Sequence, residues 1–293
     1  PSPGCGQTTT QVAHGLTLRT LPMGGATREF RLYVPDEHDG SEPLPMVMDF
    51  HGLLETAELH ARSDQWEVKG EEVGAIVVTP QGLGPVPHWN AVPGPDNDDI
   101  VFVRALYDLL GSELCVDLNR VYAGGLSNGG MMSSALACAM ADTFAAIGLV
   151  SGILFGDDCQ LTRPVPGIVF WGKKDPILPY EGGLMKRTGA PPSPDQGGFP
   201  PVEVAVAKLA SLNGCSTESV VEPVSEHVEK RSYPCPEGVE VALYVVSDGG
   251  HTWPGSELFR KMGEGDTGDR GVTTDEIDAT SLMWEFFARH PMR

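Results

Sequence analysis

The stretch Arg120-Val121-Tyr122-Ala123-Gly124-Gly125-Leu126-Ser127-Asn128-Gly129-Gly130-Met131-Met132 decides the fold. The run up to Ala123 is β-branched and aromatic, as a buried strand requires. The small apolar residues from Ser133 to Met140 suit a helix packed on a sheet. Between them, Gly125-Leu126-Ser127-Asn128-Gly129 has the G-x-S-x-G spacing of a nucleophile elbow. So tight a strand-to-helix turn forces the serine into strained backbone geometry and leaves no room for bulk beside it, which accounts for the glycines. The turn holds one hydroxyl proud of the sheet, at a helix N-terminus whose amides can stabilise an oxyanion.

Upstream, residues 1–14 are Pro-, Gly- and Thr-rich and read as irregular. Leu16–Leu21 and Glu29–Val34, separated by Met23-Gly24-Gly25-Ala26, predict an antiparallel hairpin. Met46–Phe50 and Ala75–Thr79 are short buried strands, with a helix expected from Ser63 to Val73 between them. Asp49 is out of place in an apolar strand and demands a partner. A Gly- and Pro-rich loop, 81–97, carries His88-Trp89-Asn90; Asp98 and Asp99 then open a helix to about Leu114, where their charges suit the helix dipole. Downstream come strands at Ala145–Val150, Gly167–Trp171 and Val239–Val246, a helix at Val202–Leu212, and a closing amphipathic helix from Thr274 to Arg289. Strands alternating with helices after an antiparallel start predict an α/β architecture: a mostly parallel central sheet with helices on both faces. We read residues 1–293 as one catalytic domain.

The chain carries 20 Lys and Arg against 40 Asp and Glu, a formal charge of −20 that repels nucleic acid and anionic membranes. No apolar run reaches the ~18 residues of a membrane span. The sequence opens at Pro1 without a signal-like segment, so any leader is expected to have been removed already. Six cysteines, none in a metal-binding spacing, indicate an oxidised, secreted protein. Cys215 and Cys235 flank a polar, hairpin-like stretch and form the first expected disulfide. Cys115 and Cys159 each precede a predicted strand, so they would pair if those strands are parallel neighbours; Cys5 and Cys138 remain by elimination.

A serine nucleophile needs a base, and the base needs an orienting acid. Asp175 lies just past the strand Gly167–Trp171, 48 residues after Ser127. His251 sits in the glycine-rich turn Asp248-Gly249-Gly250-His251-Thr252-Trp253-Pro254-Gly255, past the last strand. The predicted triad is therefore Ser127, Asp175 and His251, with Asp157, Asp158 and His88 as substitutes and Asp248 as a turn-former. The oxyanion hole is expected from the backbone amides of Asn128 and of Leu53, in the loop that follows His51-Gly52; His51 itself reads as structural. Nothing calls for a metal or an organic cofactor.

Taken with Trp171-Gly172, Asp175-Pro176 and Pro179-Tyr180, these motifs resemble the secreted polyhydroxybutyrate depolymerase and feruloyl esterase-like family of the α/β-hydrolases, over roughly residues 27–287. The resemblance implies the α/β-hydrolase fold and carboxylic-ester hydrolysis through the same three residues. It also implies that Trp89 and Asn90 lie near the cleft; Trp253 is a further substrate-binding candidate. Two positions depart from the pattern: Asp49 stands where the family usually has an apolar residue, and Trp171 precedes Gly172 where it more often has histidine. The expected partner is a small or polymeric ester, either a feruloyl-type ester or an aliphatic polyester, acted on by a monomer. An acyltransferase and a binding protein on an inactive scaffold are the alternatives. The choice of ester is expected to lie in loops 81–97 and 188–201.

Overall fold

The computed structural model describes residues 1–6, 14–94, 96–185, 198–263 and 270–292. Ten strands form one sheet: β1 (Gly15–Met23), β2 (Ala26–Val34), β3 (Leu44–Phe50), β4 (Ile76–Pro80), β5 (Val116–Leu126), β6 (Ala146–Val150), β7 (Gly167–Gly172), β8 (Val220–Pro223), β9 (Val228–Tyr233) and β10 (Val241–Val246). Their order is β1-β2-β4-β3-β5-β6-β7-β10-β9-β8. The six strands from β4 to β10 are mutually parallel, and both ends of the sheet are antiparallel. This is the α/β-hydrolase arrangement. Gly24 and Gly25, at φ +53° and +93°, close the β1–β2 hairpin in left-handed geometry that a residue with a Cβ resists.

Successive side chains along a strand point to opposite faces, and here both faces are apolar. Met46, Met48 and Phe50 of β3 join one core with α3 (Asp98–Glu113), α4 (Asn128–Ala139) and α5 (Val202–Leu212). Val47 of β3, Val77 of β4 and Tyr122 of β5 join the other, with α2 (Trp66–Val73), α6 (Glu257–Gly263) and α7 (Ala279–Arg289). In that second layer the ring of Phe287 stacks on Tyr122 at 4.6 Å.

Local chemistry moves several boundaries. The helix expected over 63–73 is two helices, α1 (Ala57–Asp64) and α2. Gln65 breaks them at φ +61°, and the Trp66 amide donates to Asp64 Oδ1. Thr56 caps α1, so it begins before Ser63. The closing helix starts at Ala279, not Thr274, because Asp278 caps it by accepting from the Ser281 amide. Asn97, rather than Asp98 or Asp99, caps α3. The stretch inside the Cys215–Cys235 loop is the hairpin β8–β9. The proline- and glycine-rich loop expected over 188–201 lies outside the described residues from 188 to 197.

Cys215 pairs with Cys235 as expected, but the other two bridges are Cys5–Cys115 and Cys138–Cys159. Cys115–Cys159 fails because β6 lies between β5 and β7, so the strands those cysteines precede are not neighbours. Cys159 meets α4 instead. The first residues, read as irregular, are pinned to the end of α3: Ser2 Oγ donates to the Leu114 carbonyl at 2.6 Å, and the Ser2 amide to Val116 O at 2.8 Å.

The Cys5–Cys115 bridge closes a loop of 110 residues, worth about 4–5 kcal/mol on the chain-entropy estimate. Non-reducing peptide mapping should recover this pair, and Cys5→Ala/Cys115→Ala should lower the urea-derived unfolding free energy by several kcal/mol. A peptide linking Cys115 to Cys159 would refute the pairing.

Candidate active site

The residues singled out from sequence gather at the carboxyl ends of the parallel strands, where open α/β sheets carry their sites. Ser127 follows β5, Asp175 follows β7 and His251 follows β10. Ser127 holds φ 56° and ψ −116°, a strained conformation for a residue with a Cβ. Its amide donates to Val150 O at 2.7 Å, tying the turn to β6. The elbow is tight because α4 starts directly under β3: a Cβ on Gly129 would strike the Phe50 carbonyl.

Asp175 Oδ2 lies 2.7 Å from His251 Nδ1. Its other oxygen accepts from the Ile177 and Leu178 amides, both at 2.8 Å, so the carboxylate is fixed on both sides. The His251 amide donates to Arg270 O at 2.5 Å. Ser127 and His251 line one cleft of about 430 Å³, with Leu53, Leu54, Met131, Ile177, Met185 and Met262 as its apolar walls.

The turn after β3 is built with equal care. Gly82 N–H can only donate, and it lies 2.8 Å from His51 Nε2, so the proton of the neutral His51 ring sits on Nδ1. Burial foremost pushes this histidine down to about 4, which keeps it neutral. Nδ1 then donates to the Gly52 carbonyl at 2.8 Å, while the Glu55 amide reaches the same oxygen at 3.2 Å. Because the peptide is planar and trans, anchoring the Gly52 carbonyl aims the Leu53 N–H the opposite way. Neither that amide nor the Asn128 amide donates to another described residue, and both residues line the cleft with Ser127.

Trp89 and Asn90 are not among the residues lining this cleft, although Trp89 is bonded to Asn128, which is. Trp89 is 2% exposed; its backbone and the Asn128 side-chain amide exchange two hydrogen bonds, of 2.6 and 3.0 Å, and its indole donates to His51 O at 3.0 Å. Asn90 N–H donates to Asp99 Oδ2, whose other oxygen pairs with the buried Arg28 at 2.7 Å. Both residues fasten the loop rather than wall the cleft. Trp253 is not a cleft residue either: 1% exposed, it donates to Thr280 Oγ1 and sets its ring edge-on to His60. Among the substitutes, Asp157 pairs with Lys208 at the surface, while His88 does line the cleft, exposed and bonded to Val86 O.

Residues 29–176, half of the chain, match the family described as Esterase PHB depolymerase. The chain belongs to this family. It is 30% identical over 258 residues to probable feruloyl esterase C of Aspergillus niger, covering 85% of this chain and 83% of that protein. Feruloyl esterase B of Piromyces equi is 31% identical over 225 residues; the match covers 74% of this chain and 41% of that longer protein. Among solved structures, an acetyl xylan esterase from Aspergillus awamori superposes with a TM-score of 0.63 at 14% identity, over 84% of this chain and 98% of that one. Native pOPH superposes at 0.58 with 15% identity, over 98% and 90% of the two chains. At such identities the structures show the shared fold alone. The family and its feruloyl esterase relatives make the chain a carboxylic-ester hydrolase.

Beneath its cleft the esterase buries a charged cluster that explains Asp49. His60 Nε2 lies 2.8 Å from Asp49 Oδ2 and 3.5 Å from Asp64 Oδ2, and His60 Nδ1 lies 3.6 Å from Glu55 Oε2. The available sequence signal was His60 and Asp64 four apart on one helix face, eleven residues beyond an unpaired buried carboxylate. Asp49, His60 and Asp64 bring three potential ligand atoms within 4.8 Å of one another. Burial alone would depress His60, but Asp49, Asp64 and Glu55 together outweigh it and raise the imidazole to about 9. Burial and the charge of Asp49 hold Asp64 well above the usual carboxylate range. Glu55 opposes its own burial with Arg270, His60 and the Gly52 amide, and stays below that range.

Raised values in the folded state mean that unfolding releases protons. The contribution of His60 is complete below its ordinary 6.5 and lost as pH rises through about 9, and Asp64 acts in the same direction. The thermal midpoint should therefore fall between pH 7 and 9.5, and fall less steeply in Asp49→Asn, which removes the strongest charge holding the His60 proton. Equal slopes in differential scanning calorimetry would contradict this.

Proposed function

We propose that the protein is a secreted serine esterase working through an acyl-enzyme, with Ser127 as nucleophile, His251 as general base and acid, and Asp175 as its orienting carboxylate. The observation that carries this reading is the 2.7 Å contact between His251 Nδ1 and Asp175 Oδ2, behind a cleft that His251 and Ser127 share. His251 Nδ1–H donates to Asp175, which leaves Nε2 free to take the serine proton as Oγ attacks the ester carbonyl. The carbonyl oxygen becomes an oxyanion, and the amides of Leu53 and Asn128 receive it; one such donor is typically worth about 3–4 kcal/mol. The tetrahedral intermediate collapses as His251 returns the proton to the departing alcohol. Water, activated by the same imidazole, then hydrolyses the acyl-enzyme and regenerates Ser127.

The substrates we propose are feruloyl-type esters, with aliphatic polyesters such as polyhydroxybutyrate as the second candidate. Supporting the first is the match to feruloyl esterases over 85% of the chain, together with a wall of leucine, isoleucine and methionine fit for a flat aromatic or aliphatic acyl group. Supporting the second is the family itself. Secretion is proposed from the three disulfides; no described helix is long and apolar enough to cross a membrane. We read the chain as one catalytic domain acting as a monomer.

Ser127→Ala should lower kcat by about 10⁴–10⁶-fold on p-nitrophenyl acetate and abolish fluorophosphonate labelling; undiminished turnover by this variant would sink the assignment. A panel of methyl ferulate, short p-nitrophenyl esters and polyhydroxybutyrate ranks the substrate classes. In Asp175→Asn the oxygen can still accept from Ile177 and Leu178, but the amide nitrogen then faces His251 Nδ1 and enforces the wrong tautomer. Its kcat should drop by about 10⁴-fold with the fold retained. A drop below tenfold would remove Asp175 from the triad.

A further inference from the structure

Glu55 and Arg270 meet at the rim of the cleft, and neither belongs to the proposed triad or oxyanion hole. Arg270 places a guanidinium nitrogen 2.7 Å from Glu55 Oε1; the carboxylate side chain is only 2% exposed. Each partner also grips one half of the site. On one side, Glu55 Oε2 accepts the Gly52 amide at 2.9 Å and the Glu55 amide donates to the Gly52 carbonyl, closing the turn that presents Leu53 N–H. On the other side, the Arg270 carbonyl accepts the His251 amide at 2.5 Å, and the Val272 carbonyl accepts that of Gly250 at 2.8 Å. The guanidinium lies over the Phe259 ring at 4.9 Å, and His60 stands 3.6 Å behind the carboxylate. Among the described residues, no hydrogen bond runs directly between 51–55 and 248–253. One ion pair therefore joins the two loops.

We propose that the Glu55–Arg270 ion pair is a positioning device that holds the Leu53 amide and His251 in register across the cleft. This rests on the roles proposed above for those two groups. The physical basis is that oxyanion donors and a general base act only when preorganised, and small misplacements are expensive in rate. A carboxylate buried this deeply that loses its cation keeps only the Gly52 amide and His60, 3.6 Å away, and has little water to turn to, so the contact is stiff where a surface ion pair would be slack. The same pair offers little net charge to a substrate, because each member neutralises the other.

The test uses Glu55→Gln, Arg270→Gln, the double variant and Arg270→Lys, assayed on p-nitrophenyl acetate. Glutamine at 55 keeps the size and the acceptor for Gly52 N–H and loses the charge. Each single glutamine variant should lower kcat by about 10–100-fold, below the loss of a whole oxyanion donor, with KM changed less than about threefold. The double variant should be no worse than the poorer single, because both break one contact. Arg270→Lys should regain part of kcat, and inhibition by a boronic acid that mimics the oxyanion should weaken in parallel with kcat. Losses that multiply in the double variant would overturn the proposal. So would a raised KM at unchanged kcat, which makes Arg270 a substrate-binding group, or activity that falls only as the fold melts. An inactive Ser127→Ala beside a fully active Glu55→Gln sinks this inference alone; a fully active Ser127→Ala sinks the reading beneath it.

Discussion

The architecture of the site depends on how closely α4 is pressed against the ends of β3 and β5. Gly129 has no room for a Cβ beside the Phe50 carbonyl, and a Cβ on Gly125 would come within 2.5 Å of that same atom. That approach bends the chain sharply enough to hold Ser127 at positive φ, a strain of order 1–3 kcal/mol that the surrounding packing must sustain. It also sets Asn128 beside the turn after β3, so that Leu53 and Asn128, from distant parts of the sequence, line one cleft.

The neighbouring turn is fixed by directional bonds. A neutral His51 relays Gly82 N–H on one ring nitrogen to the Gly52 carbonyl on the other. Trp89 ties the backbone of loop 81–97 to Asn128 and its indole to His51. Residues that look like substrate contacts from their sequence neighbourhood thus fasten loop 81–97 to the turn after β3 and to the start of α4. A large aromatic ring with one polar edge does both tasks, filling the core and ending in an oriented donor.

Beneath these turns the protein buries Asp49, Glu55, His60 and Asp64 with Arg270 at the edge. Such a cluster is weak evidence for stability, since well-packed apolar residues often do as well. What it adds is geometric: Asp49 ties β3 to His60 of α1, and Glu55, just before α1, ties the same region to the segment carrying Arg270, so the three are coupled.

Local sequence determined the parallel core, the elbow, the N-terminal hairpin and the order of Ser127, Asp175 and His251, because strand periodicity, glycine spacing and strand-end position are short-range properties. The break at Gln65 and the later start of α7 were less legible, since single capping side chains decide them. Disulfide pairing needed the strand order: with β6 between β5 and β7, Cys115 is left to Cys5 and Cys159 to Cys138. The burial of Trp253, the partner of Asp49 and the meeting of Glu55 with Arg270 likewise join residues far apart in the chain. Pattern along a sequence reports which face a residue turns to the core; only the packed sheet decides which distant side chain waits there.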